Sequence, residues 1–494
     1  MNSSLMPENT EKLSVLEKVG YSLGDLAANL VFQTLVTFIA FFYTDVYKIP
    51  VESATMVIFS CGLIAAFFNP FMGMIADRTQ TRWGKFRPWI LWTSIPFGVI
   101  ALLTFSTPDF SPDGKVYYAF ITYLLLLLIY SANNLPYAAL SGVITGNMKE
   151  RNSMSSYRFV AVMIAQFIIQ VLLLPLVLIA GDGDKAIGFE KVMTFLSIAG
   201  VIMFMITFFT TKERVIPSAE QKSTVLEDLK DLVTNIPWVI MLTVTVLVFV
   251  TLALKGGAYI YYFENYLNPI QISEFLVSIG FNGLIDSLNA GLTGLGLAEF
   301  QWPEDPATSG FAVFNAGGII FMIIGIGFSK GLADKFGKRE VFGWSLFIST
   351  IFIGLFYFYP PDSIGVVFSS QILHGFFYGI STPLLWAMIA DVADYSEWKN
   401  HRRATAIIFS AMIVGLKIGL TFGSSLLSSI LGFYQYDPSL VTQLPETVNG
   451  IKLSVSVYAS LPFLLAVGCL FFYKINKQVE QQIEVDLTAR RVAE

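Results

Sequence analysis

The sequence predicts an all-α membrane protein of twelve membrane-spanning helices in two pseudo-symmetric six-helix halves, with both termini cytoplasmic. Three observations predict it. Of the 494 residues, 54% are hydrophobic and only 14% are charged, against about 25% charged in a soluble domain. The apolar residues cluster in stretches of about 20 or more, the length needed to cross a bilayer, separated by short charged loops. One loop pattern also occurs twice, at matching places in the two halves.

In chain order the spans fall at 18–45, 52–76, 88–107, 117–145, 157–181, 188–210, 236–262, 309–332, 340–360, 364–392, 404–433 and 451–475. An even count places both ends on one side. Lys and Arg choose the side. The loop 77–87 carries Arg78, Arg82, Lys85 and Arg87, and 330–340 carries Lys330, Lys335, Lys338 and Arg339. Lys212, Arg214, Lys222 and Lys230 lie in 211–235, and Lys399, Arg402 and Arg403 in 399–403. The alternate segments 263–308 and 361–363 contain no Lys or Arg. By the positive-inside rule the basic loops are cytoplasmic, in an inner membrane crossed many times.

The domains follow. Residues 1–17 are a cytoplasmic N-terminus, too polar for a cleavable signal peptide, so the first span serves as its own insertion signal. A bundle over 18–210 precedes a central cytoplasmic loop, 211–235, with a capping-box signature at Thr224 and Glu227. A second bundle spans 236–475 and the tail is 476–494. The insert 263–308 is acidic, Gly-rich and partly apolar, and reads as short interfacial helices capping one half. Cys61 and Cys469 fall inside apolar spans and read as small buried hydrophobes. No zinc-ligand cluster, nucleophile elbow or phosphate loop is present, which argues against an enzyme; neither a resident cofactor nor a nucleic-acid partner is expected.

The repeated loop is Gly73-Met-Ile-Ala-Asp77-Arg78 with Arg82, Gly84 and Lys85 after span 2, and Gly331-Leu-Ala-Asp334-Lys335 with Gly337, Lys338 and Arg339 after span 8. Two copies, each after the second span of a half, mark parallel structural repeats.

Charges inside the spans are few: Asp25, Arg158, Lys255 and Lys417, with Glu264 near an edge. A charge in hydrocarbon costs at least about 2.5–3.5 kcal/mol, so such residues face a cavity and have partners. Asp25 can accept two hydroxyls of a diol, or it can pair with Arg158 or a lysine. Arg158 can hold a carboxylate or ring hydroxyls with its fork of donors. Asn29 and Gln33 continue the Asp25 face; Gln166 and Gln170 continue that of Arg158. Tyr130, Asn134 and Tyr137 share a face of span 4 and suit a sugar's ring and hydroxyls. Trp386 in span 10 is a further stacking candidate.

Several segments carry a family resemblance. They are Asn69-Pro70 running through Gly73, Asp77, Arg82, Gly84 and Arg87 to Trp89; Gly24-Asp25; Asn134-Leu-Pro136-Tyr137; Tyr157-Arg158-Phe159; Lys255-Gly256-Gly257; Asp391-Val-Ala-Asp394-Tyr395-Ser-Glu397; and Lys417. Over nearly the whole chain except 263–308, the sequence resembles the glycoside–pentoside–hexuronide:cation symporter family (melibiose-permease-like) of the major facilitator superfamily. The resemblance implies the two-bundle facilitator fold, alternating-access transport of a sugar by a monomer in the lipid bilayer, and sugar-binding roles for Asp25 and Arg158.

One departure stands out. The family's span-2 carboxylates, which hold sodium, lithium or a proton, align with Ala65 and Asn69, and a third acidic position aligns with Asn134. An alanine and two amides supply far weaker cation ligands. Sodium coupling is therefore disfavoured, and protons or simple facilitated diffusion remain, with Asp25, Asn69 and His374 as coupling candidates. Counting Asp25 against Arg158, Lys255 and Lys417 gives an electropositive centre. Two readings stay open: a substrate that is an acidic sugar such as a uronide, or a neutral sugar beside a Lys417 that locks to Asp25. Asp77, Arg78, Arg82, Asp334, Lys335, Asp391, Asp394 and Glu397 form a candidate cytoplasmic gate joined by ion pairs between the halves. A lipid- or lysolipid-translocating facilitator of the same fold is the alternative function.

Overall fold

A computed structural model of the protein describes residues 12–145, 148–214, 234–294, 302–400 and 405–493. The side chain of Asp77, the capping box at Thr224 and Glu227, and Arg402 and Arg403 lie outside what it describes. Twelve helices among the described residues are long and apolar enough to cross a membrane. The chain is a multi-pass membrane protein.

Two compact units make up the chain, residues 1–220 and 221–494. The first holds α1 (Val15–Phe41), α2 (Val51–Arg78), α3 (Arg87–Thr104), α4 (Pro112–Ile144), α5 (Met148–Phe167), α6 (Leu173–Ala180) and α7 (Lys185–Thr210). A π-helical turn, Ile168–Leu172, joins α5 to α6 within one span. The second holds α8 (Ile236–Asn265), α9 (Pro269–Ser278), α10 (Phe281–Gly294), α11 (Pro306–Phe336), α12 (Lys338–Gly354), α13 (Ile364–Asn400), α14 (Thr405–Phe433), α15 (Pro445–Val455), α16 (Val457–Leu470) and α17 (Lys477–Ala493).

The starts of these helices are written locally. Ser14 accepts from the Glu17 amide and Asp184 from Ala186 and Ile187; Asn235 and Asp305 cap α8 and α11, each followed by proline in the first turn. Both units then use one packing scheme. In the first, α1 packs on α5 and α7, α2 on α4, and α3 on α4 and α7. In the second, α8 packs on α14 and α16, α11 on α13, and α12 on α13 and α16. The same pairing of first with fifth and second with fourth span is the structural counterpart of the duplicated loop.

Small residues let backbones close up where side chains would hold them apart. A methyl group at Gly325 would lie 2.0 Å from the Phe376 carbonyl oxygen, and one at Gly379 2.1 Å from that of Met322, so α11 and α13 touch main chain to main chain. This contact fixes the height of His374 on α13.

The two signature loops are tied down alike, by residues just beyond the last span of each unit. Glu213, just beyond α7, accepts from the backbone amides of Lys85 (2.8 Å), Phe86 (2.7 Å) and Arg87 (2.9 Å). It thus supplies an anionic cap to the α3 N-terminus. Gly84 takes φ +113° there and leaves no room for a Cβ against that carboxylate. Arg214 next to it pairs with Glu17 at 2.8 Å. In the second unit Lys477 donates to the Asp334 carbonyl at 2.7 Å, and Lys338 pairs with Asp391 at 2.6 Å and Glu480 at 2.8 Å.

Among the described residues of the insert after α8, two helices behave differently. They are bent by 62°. Helix α9 buries Ile272 and Leu276, whereas α10 has no buried residue and exposes Leu284 and Leu288.

Losing the Glu213 carboxylate leaves three amides unanswered. Glu213→Ala is expected to destabilise the protein by about 1–2 kcal/mol, read as a lower thermal-unfolding midpoint in detergent, with Glu213→Gln in between.

Candidate functional site

In the first unit the membrane-embedded charges meet. Asp25, on α1, is buried, its side chain 5% exposed. Its Oδ2 accepts from Arg158 Nε of α5 at 2.6 Å, and its Oδ1 accepts from Asn29 Nδ2 at 3.0 Å. The Asn29 amide also reaches the Asp25 carbonyl at 2.9 Å, one helical turn back. The carboxylate is therefore held by Arg158 and Asn29. Of the partners the sequence left open for Asp25, Arg158 is the one that pairs with it.

Arg158 uses only Nε in this pair. Among the described residues its two terminal NH2 groups make no hydrogen bond, and its side chain is 34% exposed. Four N–H donors at the edge of a neutralised ion pair are free for a ligand. The guanidinium lies over the Tyr137 ring, 5.6 Å from its centroid. Tyr137 stacks in turn on Tyr21 at 4.6 Å, and each hydroxyl donates to the other's backbone carbonyl, at 2.7 and 3.1 Å. Tyr137 is thus fully buried with its hydroxyl committed. It is a platform under Arg158, not the sugar-facing residue expected from the sequence. Tyr21 was missed; its one signal was a position one turn before Asp25.

The amide stripe closes as a chain. Gln166 Nε2 donates to Gln170 and Gln170 Nε2 donates to Gln33, each at 3.5 Å, linking α5 to α1. Gln170 sits in the π-helical turn, an irregularity that turns one extra side chain toward a shared face. Tyr130 is buried against Phe32 (5.6 Å) and Phe97 (6.3 Å). Asn134 is half-buried with no amide hydrogen bond among the described residues. Ala65 and Asn69 are buried in α2.

The second unit separates the charges the sequence had grouped. Lys255, on α8, is 8% exposed, and its Nζ contacts His374 Nε2 of α13. The other ring nitrogen, Nδ1, lies 2.7 Å from the Ser349 hydroxyl of α12. Lys255 is therefore held inside the helices of its own unit, against a histidine. Gly419 meets the Val246 carbonyl and Gly423 the Val250 carbonyl, so Lys417 lies level with Val244. That is three turns, roughly 16 Å, along α8 from Lys255. The two lysines do not act as one cationic centre. Trp386 is 37% exposed on α13.

The gate residues also sort themselves. Asp391 is held by Lys338 of its own unit. The Arg82 guanidinium stacks 4.7 Å from the neighbouring Trp83 ring, Arg78 is exposed, and the Lys335 ammonium lies 5.1 Å from the Phe336 ring. At the start of α5, Glu150 accepts from Lys18 (2.8 Å) and the Leu13 amide (3.1 Å), and the Lys18 bond holds its carboxyl below the usual range.

Comparison with known proteins adds to this geometry. A family model described as "MFS/sugar transport protein" matches residues 20–284 and 305–477. The chain is 32% identical to the inner membrane symporter YicJ of Escherichia coli strain K12, over 92% of this chain and 91% of that one. It is 29% identical to an isoprimeverose transporter of Lactiplantibacillus pentosus (97% and 92% covered) and 25% identical to a glucuronide carrier protein homolog of E. coli K12 (97% and 97%). Among solved structures, the nucleoside transporter NupG superimposes with a TM-score of 0.56 at 14% identity, covering 93% of this chain and 100% of that one. That likeness shows the fold.

Removing one partner of the Asp25–Arg158 pair strands the other. Asp25→Ala is expected to cost about 1–3 kcal/mol of stability, discounted for the exposure of Arg158. The double variant with Arg158→Gln should recover part of this, measured as a double-mutant cycle of thermal unfolding.

Proposed function

The chain belongs to the MFS/sugar transport protein family, and on that premise we propose that it moves a neutral sugar or glycoside across the cytoplasmic membrane by alternating access, coupled to protons. It is a transporter, not an enzyme. The observation that carries the substrate class is the neutralised Asp25–Arg158 pair with four unspent guanidinium N–H groups. Sugar hydroxyls can accept from these donors and donate to the carboxylate, with no net charge transferred into low dielectric.

A uronide fits this site less well. Its carboxylate would approach Arg158 beside Asp25, and like charges that close are unfavourable. The cations that seemed to call for an anion are not gathered: Lys255 rests against His374, and Lys417 lies three turns away. Relatives named for isoprimeverose and for glucuronide show that both chemistries occur around this scaffold. A lipid-translocating role has less support, because the exposed part of this site is a guanidinium with its donors unspent.

Relatives named as symporters support coupling to a cation. Protons fit better than sodium, because Ala65, Asn69 and Asn134 are weak sodium ligands at the positions of the family's carboxylates, whereas His374 can take a proton. The distribution of basic loops supports cytoplasmic termini, and one chain supplies both units, so a monomer suffices.

In proteoliposomes, isoprimeverose or methyl xyloside uptake should be abolished by a protonophore and indifferent to replacing sodium with choline. Methyl glucuronide taken up while neutral glycosides are ignored would overturn the neutral-sugar reading. Strict sodium dependence would overturn proton coupling.

A further inference from the structure

The buried contact between Lys255 and His374 is an unusual use of two basic side chains. Lys255 is 8% and His374 2% exposed, and among the described residues neither is ion-paired to a carboxylate. Among the described residues, no anion is in contact with either. From α8 itself comes Tyr259, whose ring centroid lies 5.6 Å from the ammonium and whose hydroxyl donates to Gln371 of α13 at 3.2 Å. From α13 comes Tyr378, stacked on the imidazole at 5.9 Å. Helix α11 brings Phe314 against Tyr259, α16 brings Phe463 against Tyr378, and α12 brings Ser349. The charges on these helices lie elsewhere along them. Lys417 of α14 is roughly 16 Å away along α8, and Glu264 is nine residues further along α8, roughly 13 Å. Asp391 is 17 residues along α13 from His374, roughly 25 Å.

We infer that Lys255, His374 and Ser349 form a proton-binding site in the second unit, resting on the transport reading above and supplying its driving ion. Two basic groups in contact without an anion hold one proton between them; a second would place two like charges side by side in low dielectric. The hydrogen bonds specify both states of the site. With the proton bound, the Lys255 ammonium donates to Nε2. The ring hydrogen is then on Nδ1, which faces Ser349, with the carbonyl oxygen at 3.2 Å and the hydroxyl at 2.7 Å.

Release is balanced. Nζ passes a proton to Nε2, Nδ1 gives up its own proton through the Ser349 hydroxyl to water, and the lysine is left as a neutral amine accepting from Nε2–H. The Ser349 hydroxyl, free to rotate, then donates to Nδ1. One proton has left, the imidazole has changed tautomer, and every buried polar group keeps a partner in both states. The ammonium also disfavours a metal cation at this position. The device lies in α8, α12 and α13, whereas the candidate sugar site is in α1 and α5. The ion site and the substrate site are therefore carried by different units.

The chain contains two histidines, so 15N-histidine NMR of the protein in nanodiscs, without any sugar, reads the site directly. The His374 signal is the one that disappears in His374→Gln. It should change from the Nδ1–H to the Nε2–H tautomer as pH rises, and Lys255→Met should abolish that change. A single tautomer across the range, or a change untouched by Lys255→Met, overturns the inference.

In proteoliposomes with isoprimeverose as the probe, an inward gradient of one pH unit should drive about ten-fold accumulation for one proton. His374→Gln and Lys255→Met should equilibrate the sugar without accumulating it yet retain counterflow exchange, Ser349→Ala should accumulate less, and Ser349→Thr should resemble the parent. Accumulation that persists in His374→Gln and Lys255→Met overturns the site. A tautomer change in a protein that exchanges no sugar supports the site and instead refutes the sugar reading.

Discussion

Hydrocarbon offers nothing to a charge, so each ionised side chain within the spans must be answered by another protein group. The Asp25–Arg158 pair is where this constraint organises the first unit. Forming it fixes α1 against α5. The tyrosine stack under Arg158 locks the guanidinium plane, and Asn29 completes the carboxylate. What remains is a set of N–H donors that no described residue uses. In the proposed function, a structural necessity of the membrane thereby becomes a recognition surface.

The second unit meets the same constraint differently. Lys255 has a basic partner where an acid would be the ordinary choice. A Lys–Asp pair would be locked; a Lys–His pair can change its proton count while every hydrogen bond survives. The two units share one helix-pairing scheme and one way of fastening the signature loop. The shared scaffold carries different polar groups at its centres, and on the proposed reading that division separates substrate recognition from proton binding.

Much of this was legible in the sequence, for physical reasons. Spans are read from run length alone; the span expected at 18–45 occupies Val15–Val46, and that expected at 236–262 occupies Ile236–Asn265. Asp25, Arg158 and the Asn29, Gln33, Gln166 and Gln170 stripe could be found because polar groups in apolar helices are conspicuous and helical periodicity places them on one face. Partners are another matter. Asp25 had three basic candidates at comparable depth, and only tertiary packing distinguishes Arg158 from Lys417. Tyr137 carried a polar tip that looked available, and only the antiparallel bond exchange with Tyr21 shows it committed. Ser349 gave no signal, since a serine in a span most often bonds its own helix. Summing charges along the chain also overstated the positive centre, because Lys255 and Lys417 lie three turns apart.

Everything proposed about the substrate depends on the unspent Nη groups of Arg158. The most direct measurement is the binding isotherm of a neutral glycoside that the parent protein transports, compared between the parent and Arg158→Lys. Lysine keeps the charge and can still pair with Asp25, but it lacks the planar fork of donors. Binding weakened by at least about ten-fold in a variant that remains folded, equivalent to about 1.4 kcal/mol, is the expected result. Unchanged affinity would mean that the sugar is read elsewhere and that Arg158 serves only to neutralise Asp25.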